Sequence, residues 1–206
     1  MIAIADYGVG NIFSLVSSFR CIGVDAYLTK DAEELKKADK IILPGVGAFE
    51  DAAKKLRASG MWDAILGETA KGKPLLGICL GMQMLFERSF EYGEHEGLGL
   101  VSGSIAPIEG DIPAELKIPH IGWNSLSFPK DREKSKIFKY INEGDFVYFV
   151  HSFYGKDCDK SVTAVTHYGA PLTAAVGTGN VYGTQFHPEK SGETGLKILK
   201  AFAEVV

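Results

Sequence analysis

The chain has 206 residues, of which 46% are hydrophobic and 23% are charged, and acidic residues outnumber basic ones by 26 to 22. This composition is typical of a globular domain, and the net charge of −4 without a basic stripe disfavours a general nucleic-acid binder. No apolar run approaches the ~18 residues of a membrane helix, and the N-terminus lacks the features of a signal peptide. Three widely spaced cysteines form neither a disulfide framework nor a CxxC motif. We therefore expect one cytoplasmic domain over residues 1–206.

The first half of the chain alternates short apolar runs with helical patterns, which is typical of βαβ units in a parallel sheet. Asn11 is the expected N-cap of the first helix, and Asp31 with Glu34 predicts a capping box for the second. A later helix is predicted over residues 80–87, directly after Cys79. Strands are predicted at 2–5, 27–29, 40–43 and 74–78, and the other helices at 12–22, 32–37 and 49–58.

Beyond residue 95 the pattern changes to alternating stretches separated by turn residues, which indicates antiparallel strands and hairpins. These stretches cover 98–108, 120–128, 145–153, 161–167 and 172–186. The tail, 192–206, repeats apolar residues at helical spacing and is predicted to pack on the sheet as a helix. The sequence therefore predicts an α/β fold with a central mixed, mostly parallel sheet flanked by helices.

The motif GICLG at 77–81 places Cys79 between an apolar strand and a helix, with a glycine on each side. This is the pattern of a nucleophile elbow, whose tight turn leaves room only for small flanking residues. A helix N-terminus would favour the thiolate, and the N–H of Leu80 would be an oxyanion-hole donor. The alternative is that Cys79 is a small buried hydrophobic residue, as free cysteines often are.

A nucleophilic cysteine needs a base, and the five histidines are the candidates. His187 lies where an apolar strand runs into the sequence HPE, so Glu189 could orient its imidazole and stabilise the protonated form. The alternative for HPE alone is a solvated turn. His151 lies at a strand end, either as a structural histidine or in a pocket wall. A metal site is disfavoured because the histidines show no HxxxH or HExxH spacing.

Two further segments could complete a site. Gln83 lies one helical turn after Cys79 and could bind a substrate, although such a residue is more often a surface glutamine. The loop PGVGA at 44–48 follows a strand, and its Val46 and Gly47 fit the second half of an oxyanion hole. This loop lacks the GK[ST] of a Walker loop and YGVGN at 7–11 lacks GxGxxG spacing, so nucleotide binding is disfavoured.

Six segments carry a resemblance that spans essentially the whole chain. GICLGMQ at 77–83, PGVGAF at 44–49 and QFHPEKS at 185–191 resemble the class I (triad) glutamine amidotransferases, whose Cys-His-Glu triad hydrolyses glutamine to glutamate and ammonia. ADYGVGNIFSL at 5–15, PHIGWN at 119–124 and YFVHSFY at 148–154 are similar to one branch of that family. This branch comprises the glutaminase subunits of imidazole glycerol phosphate synthases in histidine biosynthesis. The resemblance implies the single-domain fold of the family.

The resemblance also implies a role for each site residue. Cys79 would be the nucleophile, His187 the general base and acid, and Glu189 the residue that orients His187. The remaining roles fall to residues around the pocket. Oxyanion donors would be Leu80 and the Val46–Gly47 peptide, and the glutamine's amino and carboxylate groups would be held by Gln83 and the backbone around Ser152 and Phe153. No metal or organic cofactor is implied.

A partner is implied as well, namely a (βα)8-barrel cyclase subunit that forms a heterodimer with the chain and uses its ammonia to make imidazole glycerol phosphate and AICAR. Trp123, Tyr148 and Lys190 would lie at that interface. From the sequence alone Trp123 fits a core position equally well, because tryptophan is common both in interiors and at interfaces. Neither nucleic acid nor a membrane is an expected partner.

Other functions stay open at this point. Another free-standing glutaminase, such as the one that serves pyridoxal phosphate synthesis, would lack the PHIGWN segment. A cysteine hydrolase or protease on a similar scaffold is disfavoured by Glu189 after His187 and by Gln83 after the nucleophile. A non-catalytic binding module is disfavoured by the complete set of triad residues.

Overall fold

The computed structural model describes residues 1–205, and these contain thirteen strands and six α-helices. The strands are β1 (Ile2–Ala5), β2 (Ala26–Thr29), β3 (Lys40–Leu43), β4 (Leu75–Ile78), β5 (Phe86–Ser89), β6 (His95–Glu96), β7 (Val101–Pro107), β8 (His120–Ser125), β9 (Phe146–His151), β10 (Phe153–Lys156), β11 (Val162–His167), β12 (Pro171–Thr178) and β13 (Val181–Thr184). The helices are α1 (Ile12–Cys21), α2 (Ala32–Lys37), α3 (Phe49–Ala58), α4 (Met61–Ala70), α5 (Leu80–Gln83) and α6 (Gly192–Ala203), with 3-10 turns at Lys136–Phe138 and Pro188–Lys190. None of the helices in this described part of the chain is long and apolar enough to cross a membrane.

The central sheet has seven strands in the order β11-β12-β13-β4-β3-β1-β2. The five strands from β13 to β2 run parallel, and β12 and β11 continue the sheet antiparallel. The predicted α/β fold with a mixed, mostly parallel sheet is therefore confirmed. Because β3, β4 and β13 are parallel neighbours, their carboxyl ends meet at one edge, with Leu43 beside Gly77 and Thr184 beside Ile78. The segments that follow these three strands are therefore brought together.

Two smaller sheets complete the fold. One has four strands in the order β10-β7-β5-β6, and the other is the antiparallel pair β8 and β9. In this pair His120 lies opposite His151, and Trp123 lies opposite Tyr148. Since successive residues of a strand point to opposite sides, the histidines and the two aromatic residues lie on different faces of the pair.

Hydrophobic residues are buried on both faces of the central sheet. Ile41 and Leu43 of β3 belong to one buried cluster together with Phe49, whereas Ile42 belongs to a second cluster that contains Phe19. Alternate residues of one strand thus enter different clusters. Burial on both faces explains why the parallel strands are continuous apolar runs in the sequence.

The prediction of a helix over residues 80–87 is confirmed for its first turn and wrong for the rest. Helix α5 has only four residues and β5 follows it closely. The N–H groups of Leu98 and Val101 donate to the carbonyl oxygens of Met84 and Leu85, at 2.8 and 2.9 Å respectively. The backbone after α5 is therefore paired with a segment further along the chain, and this tertiary pairing overrides the local helical pattern.

Other parts of the secondary-structure prediction also need correction. Helix α4 was not predicted, and it begins after Gly60, whose φ of 72° is in the left-handed region. The stretch 172–186, predicted as antiparallel, contains β12 and β13, and β13 runs parallel to β4. Helix α6 ends at Ala203, and Val206 lies outside the described residues.

The predicted helix caps form only in part. Asp31 accepts a hydrogen bond from the N–H of Glu33 at 2.8 Å and so caps α2. The carboxylate of Glu34 pairs with Lys37 and does not close the capping box. Asn11 Oδ1 accepts a hydrogen bond from the Ser14 hydroxyl at 3.0 Å and from no backbone N–H of α1, so the expected cap does not form.

Candidate active site

Cys79 lies in a strained turn between β4 and α5. Its φ of 55° and ψ of −112° are rare for a residue with a side chain, and its N–H donates to the Thr184 carbonyl oxygen at 2.7 Å. A Cβ atom on Gly77 would lie 2.6 Å from the Gly81 oxygen, and one on Gly81 would lie 1.8 Å from the Leu43 oxygen. Both glycines of the predicted elbow are therefore required by close backbone approach. Such backbone strain costs about 1–3 kcal/mol and is typical of functional sites.

The expected help from a helix N-terminus is small here. Helix α5 is a single turn of four residues, so few peptide dipoles are aligned behind Cys79. Charged and polar side chains around the sulfur have to favour the thiolate instead. The closest candidates come from the segment that follows β13.

His187 and Glu189 form a buried pair beside Cys79. His187 Nδ1 lies 2.8 Å from Glu189 Oε1, and both side chains are 2% exposed. Because a carboxylate accepts, Nδ1 carries the hydrogen, and Nε2 is left without a partner among the described residues. Burial lowers the pKa of His187, but the neighbouring Cys79 and Glu189 outweigh burial and raise this pKa to about 10. The arrangement can therefore hold a protonated imidazole next to a thiolate.

A cavity of about 360 Å³ opens above the sulfur. The predicted site residues that line it are Cys79, His187, Val46, Gly47, Leu80, Gln83, Ser152, Phe153 and Lys190. Glu189 is not in the lining, and its carboxylate contacts the imidazole of His187. Trp123 and Tyr148 do not line the cavity either. The fold thus brings the predicted nucleophile, base and binding residues to one place.

The glycine loop, defined as residues 44–48, forms one side of this cavity. Neither the Val46 nor the Gly47 N–H donates to any group within residues 1–205. Gly47 has a φ of 98°, and Val46 is 42% exposed. By contrast, the Pro44 carbonyl oxygen at the start of the loop accepts a hydrogen bond from the Tyr7 hydroxyl at 2.7 Å. The loop is therefore anchored at its base and unpaired at its tip.

Gln83 is a buried residue, which rules out the surface alternative. It is 7% exposed, and its Nε2 donates to the Phe153 carbonyl oxygen at 3.2 Å and to Gln185 Oε1 at 3.1 Å. Gln185 had no predicted role, although it lies two residues before His187, and strand alternation would have placed both on one side.

The sequence analysis also missed Glu91 and Tyr92, which line the cavity from the loop after β5. The Glu91 carboxylate accepts a hydrogen bond from the N–H of Phe49. Tyr92 has a left-handed φ of 53° and meets the ring of Phe153 edge-on at 6.2 Å between centroids. No motif marks this loop in the sequence, so only its position in the fold could have identified these residues.

His120 and His151 form a pair of buried histidines at the wall of the cavity. His151 Nδ1 donates to the Phe153 carbonyl oxygen at 2.9 Å, so its Nε2 accepts from His120 Nδ1 at 3.0 Å. Burial lowers the pKa of both imidazoles to about 4, so both are neutral. His151 is thus both a satisfied structural histidine and part of the cavity wall. No group of three or more His, Cys, Asp or Glu side chains within residues 1–205 is placed to hold a metal ion.

The three residues expected at a partner interface lie close together. Trp123 and Tyr148 meet edge-on at 6.1 Å between ring centroids, and Lys190 Nζ lies 6.0 Å from the Tyr148 ring. Trp123 is 55% exposed, so the alternative that it is a core residue is wrong. Ile121 and Phe146 are also exposed on the same face of the β8 and β9 pair. An exposed apolar face of this kind is typical of an interaction site.

Comparisons with known proteins agree with this arrangement. The sequence matches the Glutamine amidotransferase class-I family over residues 3–205. An imidazole glycerol phosphate synthase subunit HisH from Caldanaerobacter subterraneus subsp. tengcongensis is 50% identical over 207 residues, which cover 100% of this chain and 98% of that protein. The subunit of the same name from Oceanobacillus iheyensis is 46% identical over 207 residues and 100% of both chains. A solved structure described as a crystal structure of glutamine amidotransferase superposes with a TM-score of 0.75 at 20% identity, covering 99% of each chain.

Proposed function

Since the chain belongs to the class-I glutamine amidotransferase family, among the HisH subunits of imidazole glycerol phosphate synthase, we propose that it hydrolyses glutamine and delivers the ammonia to a cyclase subunit. The observation that carries this proposal is the strained Cys79 at the floor of a cavity beside the buried His187–Glu189 pair. The histidine pathway would use this ammonia in the cytoplasm. Residues 1–206 would act as one glutamine amidotransferase domain.

The first half of the reaction is acyl transfer to sulfur. The Cys79 thiolate attacks the side-chain carboxamide carbon of glutamine and forms a tetrahedral oxyanion. As this intermediate collapses, the carbon–nitrogen bond breaks, and protonated His187 gives its Nε2 proton to the leaving ammonia. A γ-glutamyl thioester and a neutral imidazole remain. The raised pKa of His187, about 10, ensures that the proton is available at neutral pH.

The second half is hydrolysis of the thioester. Neutral His187 takes a proton from water through Nε2, and the hydroxide attacks the thioester carbon. Glutamate leaves, and the thiolate and protonated imidazole are restored. Glu189 keeps the hydrogen on Nδ1 in both halves, so Nε2 always faces the reacting atoms.

The oxyanion would be held by backbone N–H groups. Leu80 is the first residue of α5, so its N–H has no acceptor within the helix. The Val46–Gly47 segment would supply the second donor from the opposite side of the cavity. Loss of one such donor costs about 10²–10³ in turnover, so the position of the glycine loop strongly affects the rate.

The amino-acid end of glutamine would be bound by polar groups further up the cavity. Gln83 and the backbone around Ser152 and Phe153 would hold its α-amino and carboxylate groups. Glu91 lines the same cavity, and its carboxylate complements the positive α-amino group. Neutral amides and esters that lack this end would therefore be poor substrates.

The cyclase would bind the exposed face that carries Trp123, Tyr148 and Lys190. Lys190 also lines the cavity, so a partner seated there lies next to the active site. An ordered glycine loop would complete the oxyanion hole, and we expect the partner to raise glutaminase activity. The usual range of such coupling is about 1–3 kcal/mol, or roughly 5- to 150-fold.

The decisive experiment uses the chain with and without the (βα)8-barrel cyclase. Glutamate release should be slow for the lone chain and fast for the complex with its nucleotide ligand. Cys79→Ala should abolish glutamine-dependent synthesis and leave synthesis from ammonium salts intact, because only ammonia production uses the sulfur. Cys158→Ala is the control, since this buried cysteine does not line the cavity. Equal loss of both activities in a folded Cys79→Ala complex would refute the proposed role of Cys79. Full glutaminase activity of the lone chain would refute the proposed activation by the partner.

A further inference from the structure

The chain has only two glutamines, and they contact each other behind the nucleophile. Gln185 follows β13 and its side chain is fully buried. Its Oε1 accepts from Gln83 Nε2 at 3.1 Å, and its Nε2 donates to Cys79 Sγ at 3.8 Å. A buried primary amide therefore joins the reacting sulfur to a residue of the substrate pocket.

The direction of these hydrogen bonds is fixed by one backbone carbonyl. The Phe153 oxygen can only accept, so the Gln83 side chain must present Nε2 to it. The second hydrogen on that nitrogen then points to Gln185, which must present its Oε1. Nε2 of Gln185 is consequently the group that faces the sulfur. Neither amide can be flipped without leaving two donors or two acceptors face to face.

We propose that Gln185 has two roles in the glutaminase reaction, and this inference rests on the function proposed above. Its N–H donates to Cys79 Sγ and favours the charged nucleophile, and its Oε1 positions Gln83 for substrate binding. With both Nε2 hydrogens of Gln83 engaged, the Oε1 of Gln83 is the remaining polar atom of that side chain. This oxygen is the acceptor available to the α-amino group of glutamine.

Burial strengthens the contacts of Gln185 with Cys79 and with Gln83. A hydrogen bond to a charged group favours the charged form, and water does not compete for it where the side chain is fully buried. Helix α5 is a single turn, so its dipole does little to stabilise a charged sulfur. Gln185 thus provides a neutral donor on one side of the sulfur, and His187 provides a charged group on another.

A double-mutant cycle tests the positioning role. We expect Gln83→Met and Gln185→Met each to raise the KM for glutamine in the cyclase complex about two- to tenfold, the range for one hydrogen bond between neutral groups. The double variant should raise KM no more than Gln83→Met does, because Gln185 acts on the substrate through Gln83. Additive effects in the double variant would overturn this role.

The contact between Gln185 and the Cys79 sulfur can be tested without glutamine. Gln185→Met should slow alkylation of Cys79 by iodoacetamide at pH 7 about two- to tenfold, because the sulfur loses its buried hydrogen-bond donor. Thr173→Val is the matched control, because Thr173 Oγ1 lies 3.8 Å from the sulfur of Cys158, a second buried cysteine remote from the cavity. That control should leave Cys79 alkylation unchanged. A Gln185→Met rate equal to wild type would overturn the donor role.

Two further measurements separate the possible failures. If Gln185→Met does not fold, the test uses the wild-type protein and follows the side-chain amide signals of Gln83 and Gln185 by ¹⁵N NMR. Both signals should shift when Cys79 is alkylated. Unchanged signals would overturn the inference. A wild-type complex without glutaminase activity would refute the proposed function, while slower alkylation of Gln185→Met would still support the donor to sulfur. A fully active complex with no effect of Gln185→Met would refute the inference alone.

Discussion

The two sides of the cavity differ in burial and in hydrogen bonding. On one side Cys79, Gln83 and His187 line the cavity, and Gln185 and Glu189 lie behind them, joined to them by buried hydrogen bonds and the His187–Glu189 ion pair. These five residues are called the polar wall. The glycine loop is exposed at its tip, and its N–H groups have no partners within the described residues.

The difference separates two tasks of the enzyme. In the proposed reaction the polar wall would set the protonation states and hold the reacting groups in fixed positions, since burial and mutual hydrogen bonding require no partner. The glycine loop offers donors whose geometry can change, which suits regulation of the rate by a second subunit. Changes in the wall should therefore act in the lone chain and the complex alike. Changes in the glycine loop should alter mainly the difference in glutaminase activity between the lone chain and the complex.

The largest effect is expected from the base. His187→Ala should lower glutamine-dependent turnover about 10³-fold or more, both alone and in the complex, because neither proton transfer can then occur. Ammonium-dependent synthesis by the same complex is the control and should stay at the wild-type rate. Retention of more than a tenth of glutaminase activity would show that another group serves as the base.

A smaller but still large effect is expected from Glu189→Gln. We expect a loss of about 10²–10³-fold in turnover, since the neutral amide no longer fixes Nδ1–H or stabilises the imidazolium. Cys79 and Glu189 together raise the pKa of His187 from 6.5 to about 10, so the interactions of protonated His187 stabilise the folded state fully below pH 6.5 and lose this contribution on approaching pH 10. Urea unfolding should therefore show a larger stability difference between wild type and variant at pH 6.5 than at pH 10. An equal difference at both values would mean that the pair is not charged.

Gly47→Ala should affect the loop without touching the polar wall. Its φ of 98° disfavours any residue with a Cβ, and no atom lies within 4 Å of the added methyl group, so the change acts through the backbone alone. Glutaminase activity of the complex should fall about tenfold or more as the oxyanion donor moves. Gly72→Ala is the matched control, with a φ of 94°, equal open space and a position remote from the cavity. Both variants should lose similar stability, and only Gly47→Ala should lose activity.

The smallest effect is expected at the anchor of the loop. Tyr7→Phe removes the hydroxyl that donates to the Pro44 carbonyl oxygen, a bond worth about 0.5–1.5 kcal/mol. We expect a fall in kcat of about two- to tenfold with an unchanged KM, since the loop base is loosened and the substrate pocket is intact. Tyr182→Phe, at a buried tyrosine outside the cavity, should leave kcat unchanged. A change in KM alone would place Tyr7 with the substrate-binding groups.

The sequence predicted best what depends on local pattern. The four parallel strands of the first half were each predicted within one residue of their ends. Three of them, β1, β3 and β4, are apolar runs because both of their faces are buried, whereas β2 is a half-buried edge strand. The elbow around Cys79 was equally visible, since a cysteine between two glycines follows a strand. Helix α4 was missed because the polar residues Glu68 and Thr69 share its buried face with Trp62 and Ile65, which interrupts the apolar pattern.

What the sequence could not reveal depends on contacts between distant residues. Gln83 and Gln185 are 102 positions apart, and nothing in either local sequence shows that their amides meet. Glu91 joins the cavity because β5 ends two residues before it, and β5 begins within the segment 80–87 that was predicted as a helix. The exposure of Trp123 likewise follows from the face on which β8 places it.

The glycine loop can move only over a very short length. A Cβ on Gly45 would lie 2.9 Å from the Gly81 nitrogen and 3.0 Å from the Tyr7 hydroxyl, so this part is locked against the elbow. Ala48 is exposed, but its carbonyl oxygen accepts a hydrogen bond from the Ala52 N–H at 3.1 Å at the start of α3, which leaves Val46 and Gly47 as the exposed residues of the loop without such an anchor. Fixing the backbone of one residue costs about 1–2 kcal/mol in conformational entropy, so ordering both costs about 2–4 kcal/mol. At about 1.4 kcal/mol per factor of ten, this entropy corresponds to roughly 30- to 700-fold in rate, which is the most that a partner can gain from ordering the tip alone. The number of free residues in the loop thus sets a ceiling on the activation that loop ordering can supply.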